Sequence, residues 1–120
     1  MEKGLTFEEF IRLAQQETEI DDDCPMYKAL QIINGRWRLV ILYQLSKKPS
    51  FRYGELAKSI PTITKSMLST SLTELEENGL VHRDQFNEIP PRVEYSLTDK
   101  GRALFPLFYD LYRWLSEYPS

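Results

Sequence analysis

Apolar residues recur at helical spacing over most of the chain and switch once to strict alternation, between Leu80 and Leu97. Thr6-Phe7-Glu8-Glu9 reads as a capping box, and Phe7, Phe10, Ile11 and Ala14 share one face, so the pattern predicts a first amphipathic helix to about Gln16. The acidic run Glu19–Asp23 breaks it. Cys24-Pro25 opens a second helix, where proline suits a first helical position, and Met26, Ala29, Leu30 and Ile33 follow at helical spacing. Asn34-Gly35 closes that helix as a left-handed cap would. From Trp37 to Leu45 nearly every residue is apolar, the pattern of a buried central helix, and Lys47-Lys48-Pro49 ends it. Ser50 to Arg52 reads as a short extended crossing. A brief helix, Tyr53 to Ser59, follows with Leu56 and Ala57 inward, and Pro61 stops it.

The clearest helix comes next. Thr64 is its N-cap, Ile63 and Leu68 are spaced as a hydrophobic staple, Leu68, Leu72 and Leu75 form its buried stripe, and Asn78-Gly79 closes it. The period then drops to two, predicting strands over Leu80–Phe86 and Arg92–Leu97, joined by the proline-bearing tip Asn87-Glu88-Ile89-Pro90-Pro91. Thr98 caps a last helix to about Tyr118, with Leu104, Leu107, Phe108, Leu111 and Leu115 on one face and Phe105, Tyr112 and Trp114 elsewhere. That is more apolar surface than one small domain covers. Pro106 within it predicts a kink or a restart, because proline removes a backbone donor and clashes with the preceding turn.

Helix, short strand, helix, tight turn, helix and hairpin is the order of a winged helix-turn-helix: mainly α with a small β-hairpin wing. The expected division is an acidic N-terminal helix and lead over 1–23, then a DNA-binding domain with a C-terminal dimerisation helix over 24–120. A recognition helix needs short polar side chains on its outer N-terminal positions, so that its backbone can approach base edges and phosphates. Thr62, Thr64, Lys65, Ser66, Ser69, Thr70 and Ser71 supply such a surface opposite the leucines. Any amphipathic helix also turns a Ser/Thr/Lys face to water, and it is the downstream hairpin that favours the nucleic-acid reading. Basic residues fall on the expected rim: Arg52, Lys58, Lys65 and, on the wing, Arg92.

Charge first speaks against this and then does not. The 120 residues carry a net charge of −3, whereas a DNA footprint is normally basic. Residues 1 to 23, however, hold two basic and eight acidic residues and so carry −6, while the remaining 13 basic and 10 acidic residues leave the body at +3.

Several segments resemble the HxlR-type family of bacterial winged-helix transcriptional regulators. They are Cys24-Pro25, Asn34-Gly35-Arg36-Trp37-Arg38, Phe51-Arg52-Tyr53-Gly54-Glu55-Leu56, Ile63-Thr64-Lys65-Ser66-Met67-Leu68, the run Leu72 to Val81, Pro90-Pro91-Arg92-Val93-Glu94-Tyr95-Ser96-Leu97-Thr98 and Gly101-Arg102. The resemblance spans about Cys24 to Trp114, and the Pro-Pro-Arg-Val-Glu-Tyr wing is its most specific part. It implies a homodimer on a roughly palindromic operator, with the terminal helices building the interface. Phe7, Phe10 and Ile11 from the first helix and Phe105, Phe108, Leu111, Tyr112 and Leu115 from the last are the candidates.

A single cysteine, Cys24, excludes an internal disulfide, and a reducing compartment is expected. In some members of the resembled family a cysteine at this motif senses electrophiles or oxidants, and here it could pair only between subunits or with a small thiol; otherwise it is a small buried residue or cap. His82 stands alone on a wing strand, so neither a metal site nor a cofactor is expected, and no catalytic constellation is present. No signal peptide is expected, and the longest apolar stretch, Ala103 to Tyr109, is far shorter than the ~18 residues of a membrane span. The expectation is a cytoplasmic DNA-binding regulator, its partners duplex DNA and a second copy of itself, with a winged-helix protein-interaction module as the alternative.

Overall fold

The computed structural model describes residues 4–17 and 19–119; Met1–Lys3 and Thr18 of the acidic lead, and Ser120, lie outside them. The chain divides into two compact units at Ile32/Ile33, later than the division expected at Asp23/Cys24.

The first unit holds α1 (Phe7–Gln16) and nearly all of α2 (Pro25–Ile33). Thr6 caps α1 reciprocally: its Oγ1 accepts from the Glu9 N–H at 3.1 Å, and Glu9 Oε1 accepts from the Thr6 N–H at 3.1 Å. Hydrogen bonding to its carboxyl from the Thr6 side chain and from the Thr6 N–H holds Glu9 below its ordinary value. No residue of α1 is buried; Phe7, Phe10, Ile11 and Leu13 are all exposed. The Lys28 N–H donates to the Cys24 carbonyl at 3.0 Å, so the helical ladder of α2 starts from Cys24, as the Cys-Pro pair predicts.

The second unit runs α3 (Arg38–Leu45), β1 (Phe51–Arg52), α4 (Tyr53–Ser59), α5 (Lys65–Glu77), β2 (Val81–Phe86), β3 (Arg92–Leu97), α6 (Asp99–Arg102) and α7 (Phe105–Glu117). Gly35, which precedes α3, has the positive φ of +120° expected of a helix stop. Ile41, Leu42 and Leu45 of α3 are buried, but Val40 and Tyr43 are exposed, so α3 packs on one face and is not the fully enclosed helix that its composition suggests. Phe51 of β1, Leu56 of α4, Ile60 after it, Leu68, Leu72 and Leu75 of α5, and Leu80, Val81 and Leu97 of the hairpin are buried with them. Each such side chain contributes about 2 kcal/mol on burial, against at most about 1 kcal/mol for a surface ion pair, so the leucine stripe decides how α5 is seated.

The hairpin pairs Val81 with Leu97 and Phe86 with Arg92. The extended crossing joins the sheet as well: β1 pairs antiparallel with β3, Phe51 opposite Tyr95 and Arg52 opposite Glu94, giving the order β1-β3-β2. α5 ends in a Schellman motif. The Leu80 N–H reaches the Leu75 carbonyl at 2.9 Å, the Gly79 N–H reaches Glu76 at 3.0 Å, and Gly79 has a φ of +75°.

The last helix restarts at its proline. α6 ends at Arg102, and Pro106 lies in the first turn of α7, where its missing N–H costs nothing. Leu104, Leu107 and Phe108 are half-buried, and the Phe108 ring meets Tyr43 edge-on at 5.4 Å. Farther along, Leu111, Tyr112, Trp114 and Leu115 are exposed, so only the start of the expected inward face is covered. No helix among the described residues is long and apolar enough to cross a membrane.

Candidate nucleic-acid interface

The exposed face of α5 follows from its own periodicity. With Leu68, Leu72 and Leu75 inward, Ser66 and Thr70 project to the opposite side, and Lys65, Ser69 and Thr73 flank them; all five are exposed. Thr62 and Thr64 precede the helix and are exposed as well. Ser71 is not part of this surface: it is 5% exposed and lies within the packed stripe, one turn from Leu68 and Leu75.

Thr64 acts as the N-cap, its Oγ1 accepting from the Met67 N–H at 3.1 Å. The remaining first-turn amides face outward at the positive end of the helix, an arrangement that suits a phosphate. Lys58 and Lys65 have no ion-pair partner among the described residues, whereas Glu74 is tied back to Arg38 of α3 at 3.3 Å. The N-terminal half of α5 is therefore cationic or neutral, its acidic residues Glu74, Glu76 and Glu77 all lying in the C-terminal half.

One interaction that the sequence did not suggest braces this helix. Tyr53, the first residue of α4, places its hydroxyl 3.1 Å from the Lys65 carbonyl and 2.9 Å from Ser69 Oγ. The residue was visible in the Phe-Arg-Tyr-Gly-Glu segment, but nothing in its spacing distinguishes a tyrosine that packs from one that hydrogen-bonds across to the next helix. Beside it, Arg52 is exposed, and its N–H donates to Glu55 Oε1 at 2.8 Å. Glu55 also accepts from Lys48 Nζ at 2.8 Å; that bond, with the Arg52 amide, holds its carboxyl below the ordinary range.

On the wing, Arg92 is more constrained than a free phosphate ligand would be. Its guanidinium lies 4.2 Å from the centroid of the Phe86 ring, the residue opposite it in the hairpin, and meets Glu88 at 3.3 Å and Glu94 at 3.1 Å. Glu94 is held from the other side by Ser50 Oγ at 3.0 Å. Beyond this network the tip exposes Ile89 completely. A cleft of about 410 Å³ separates the tip residues Glu88, Pro90 and Pro91 from Arg52, Tyr53 and Gly54 at the start of α4. The structure thus brings Arg52, Lys65, Ser66, Ser69 and Thr70 to the exposed surface that α4 and α5 form, and ties Arg92 into the wing.

Cys24 is buried, and its thiol donates to Glu17 Oε2 at 3.4 Å. His82 meets Asp84 at 2.8 Å, and no cluster that could hold a metal ion occurs among the described residues.

Comparison with known proteins agrees with this architecture. Residues 32–120 match the HxlR-like helix-turn-helix family. YdzF, an HTH-type transcriptional regulator of Bacillus subtilis, is 44% identical over 90 residues, covering 75% of this chain and 83% of its own. Among solved structures, a MarR-family transcriptional regulator from Porphyromonas gingivalis W83 superposes with a TM-score of 0.78 at 36% identity, covering 87% of this chain and 100% of its own. The redox regulator HypR in its oxidised form superposes with a TM-score of 0.72 at 36% identity, covering 81% and 99%. With the helix-turn-helix of α4 and α5, the β2–β3 wing and a family match from Ile32 to the C-terminus, the chain belongs to the HxlR-like helix-turn-helix family.

Proposed function

We propose that this protein is a transcriptional regulator that binds operator DNA, inserting the N-terminal half of α5 into the major groove. One observation carries the reading: α5 presents Lys65, Ser66, Ser69 and Thr70 outward on a leucine-packed back, with its nearest acidic side chain, Glu74, tied to Arg38. Arg52, Lys58 and Lys65 contact phosphates, while Ser66, Ser69 and Thr70, with Thr62 and Thr64 at the helix entry, face the bases. The protein acts in the cytoplasm, where its operator lies. Family membership in a group of HTH-type regulators supports this reading.

The binding unit is a homodimer on a roughly palindromic site, joined through the exposed faces of α7 (Phe105, Leu111, Tyr112, Leu115) and α1 (Phe7, Phe10, Ile11), since so much apolar surface on two helices is otherwise left to water. Phe108, half-buried against Tyr43, anchors the start of α7.

The test is the salt dependence of binding to a duplex recovered from fragmented genomic DNA. Lys65→Ala should weaken binding and lower the slope of log affinity against log salt by about 0.9 for each phosphate that is no longer neutralised. An unchanged slope would remove Lys65 from the interface, and the absence of any DNA affinity at low salt would refute the function. The similarity to HypR favours a second layer, a thiol signal at Cys24. It predicts that a mild oxidant changes operator affinity in the parent and leaves Cys24→Ser unaffected; an equal response in both would end it.

A further inference from the structure

We propose that Tyr53 is a specificity-determining residue, because it fixes the Ser69 hydroxyl as a hydrogen-bond acceptor toward the DNA. This rests on α5 being the helix that reads the operator.

Counting protons fixes the direction of both hydrogen bonds. The Tyr53 hydroxyl has one hydrogen and touches two oxygens, the Lys65 carbonyl at 3.1 Å and Ser69 Oγ at 2.9 Å. A carbonyl oxygen only accepts, so the tyrosine proton belongs to Lys65. The approach to Ser69 is then a hydrogen bond only if Ser69 donates, which uses the single proton of the serine. Any other assignment leaves two oxygen atoms facing each other at hydrogen-bonding distance with no hydrogen between them. Ser69 is exposed, and what it offers outward is lone pairs alone.

A serine is ordinarily permissive at a base edge because its hydroxyl rotates to donate or accept. With its proton committed inward, Ser69 accepts and does not donate. In the major groove the donors are the exocyclic amines of adenine and cytosine, whereas guanine presents only acceptors and thymine an acceptor and a methyl group. The contacted base on the strand facing Ser69 is therefore adenine or cytosine. Tyr53 makes this selection from α4 without touching the DNA base.

The experiment is selection by the full-length protein from a pool of randomised duplexes, sequenced for the parent, Tyr53→Phe and Ser69→Ala. The parent should enrich one base pair at one position of each half-site, the pair that turns the exocyclic amine of an adenine or cytosine toward Ser69. Tyr53→Phe returns the serine proton to rotation between the Lys65 carbonyl and the groove. It should relax that preference by roughly five- to tenfold while leaving the other positions and the salt slope as in the parent. Ser69→Ala should lose the preference at the same position, which keeps the test decisive if Tyr53→Phe folds poorly. Identical base preferences in parent and Tyr53→Phe, or retention of the preference in Ser69→Ala, would overturn the assignment. If the parent enriches no sequence at all, the reading of α5 as the DNA-contacting helix fails, and this inference with it.

Discussion

Arg92 lies 4.2 Å from the ring of Phe86, its partner across the hairpin, and the two hold the wing in a single arrangement. The Arg92 Nε is buried and lies 3.1 Å from Glu94 without the alignment of a hydrogen bond, so stacking and charge hold the group together. Arg92→Ala should lower stability by about 1–2 kcal/mol, read as a fall in Tm, and should change the salt slope of DNA binding less than Lys65→Ala does. Arg92→Lys separates the two roles. A lysine preserves a cation for phosphate but not a planar stack, so little of the fall in Tm should be recovered; full recovery would make Arg92 a simple cation.

Gly101 is the glycine with no room to spare. A Cβ built there comes 2.2 Å from the Leu80 carbonyl, where α6 meets the turn between α5 and β2. Gly101→Ala should cost roughly 2–4 kcal/mol, because backbone rather than a flexible side chain must move. Gly54, in α4, has open space around its missing Cβ and no positive φ. Gly54→Ala should be neutral or stabilising by up to about 1 kcal/mol. Thermal melts of the two variants give the comparison, and similar melting points would contradict the packing at Leu80.

Glu55 predicts the sign of an acid response. Lys48 and the Arg52 amide hold its carboxyl below the ordinary 4.5 in the folded protein, so its contribution to stability is present above that value and is lost as pH falls through the lower, folded one. From about pH 5 down to about pH 3 the parent should lose Tm more steeply than Glu55→Gln. Parallel curves would show that the Lys48–Glu55 pair contributes nothing in solution.

The exposed C-terminal half of α7 predicts an assembly phenotype. Leu115→Glu, alone or with Leu111→Glu, places charge on side chains that are about half exposed in the single chain, at 50% and 46%, so the fold should survive while association fails. Sedimentation should show a monomer, and operator affinity should fall by at least about 100-fold because the two half-sites are no longer engaged by one linked unit. A variant that stays dimeric would move the interface elsewhere.

Much of the fold is local and was therefore legible. Thr6, Thr64 and Thr98 each cap the helix that their sequence announces, Gly35 and Gly79 supply the positive φ at two helix ends, and Pro106 restarts the last helix where its missing donor required it. The alternation from Leu80 to Leu97 placed the hairpin, and the leucines of α5 marked its inner face. These signals depend on neighbours within a few residues, and the physics of capping and amphipathic burial is complete at that range.

What the tertiary structure decided are relations across long sequence gaps. Ser71 looks polar and outward on its own helix, yet it is buried because the stripe it shares with Leu68 and Leu75 is wider than three leucines. Phe51–Arg52 becomes a third strand only because β3 offers it an edge. Arg92, an apparent phosphate ligand, is drawn to Phe86, Glu88 and Glu94 by the hairpin register, and Tyr53 at the start of α4 reaches across to Lys65 and Ser69 of α5. The sequence by itself determined which elements form and that their order is a winged helix-turn-helix. Only the packed chain decided which polar groups remain free to meet DNA, because a side chain's hydrogen bonds and charges are spent on whichever neighbours the fold brings to it.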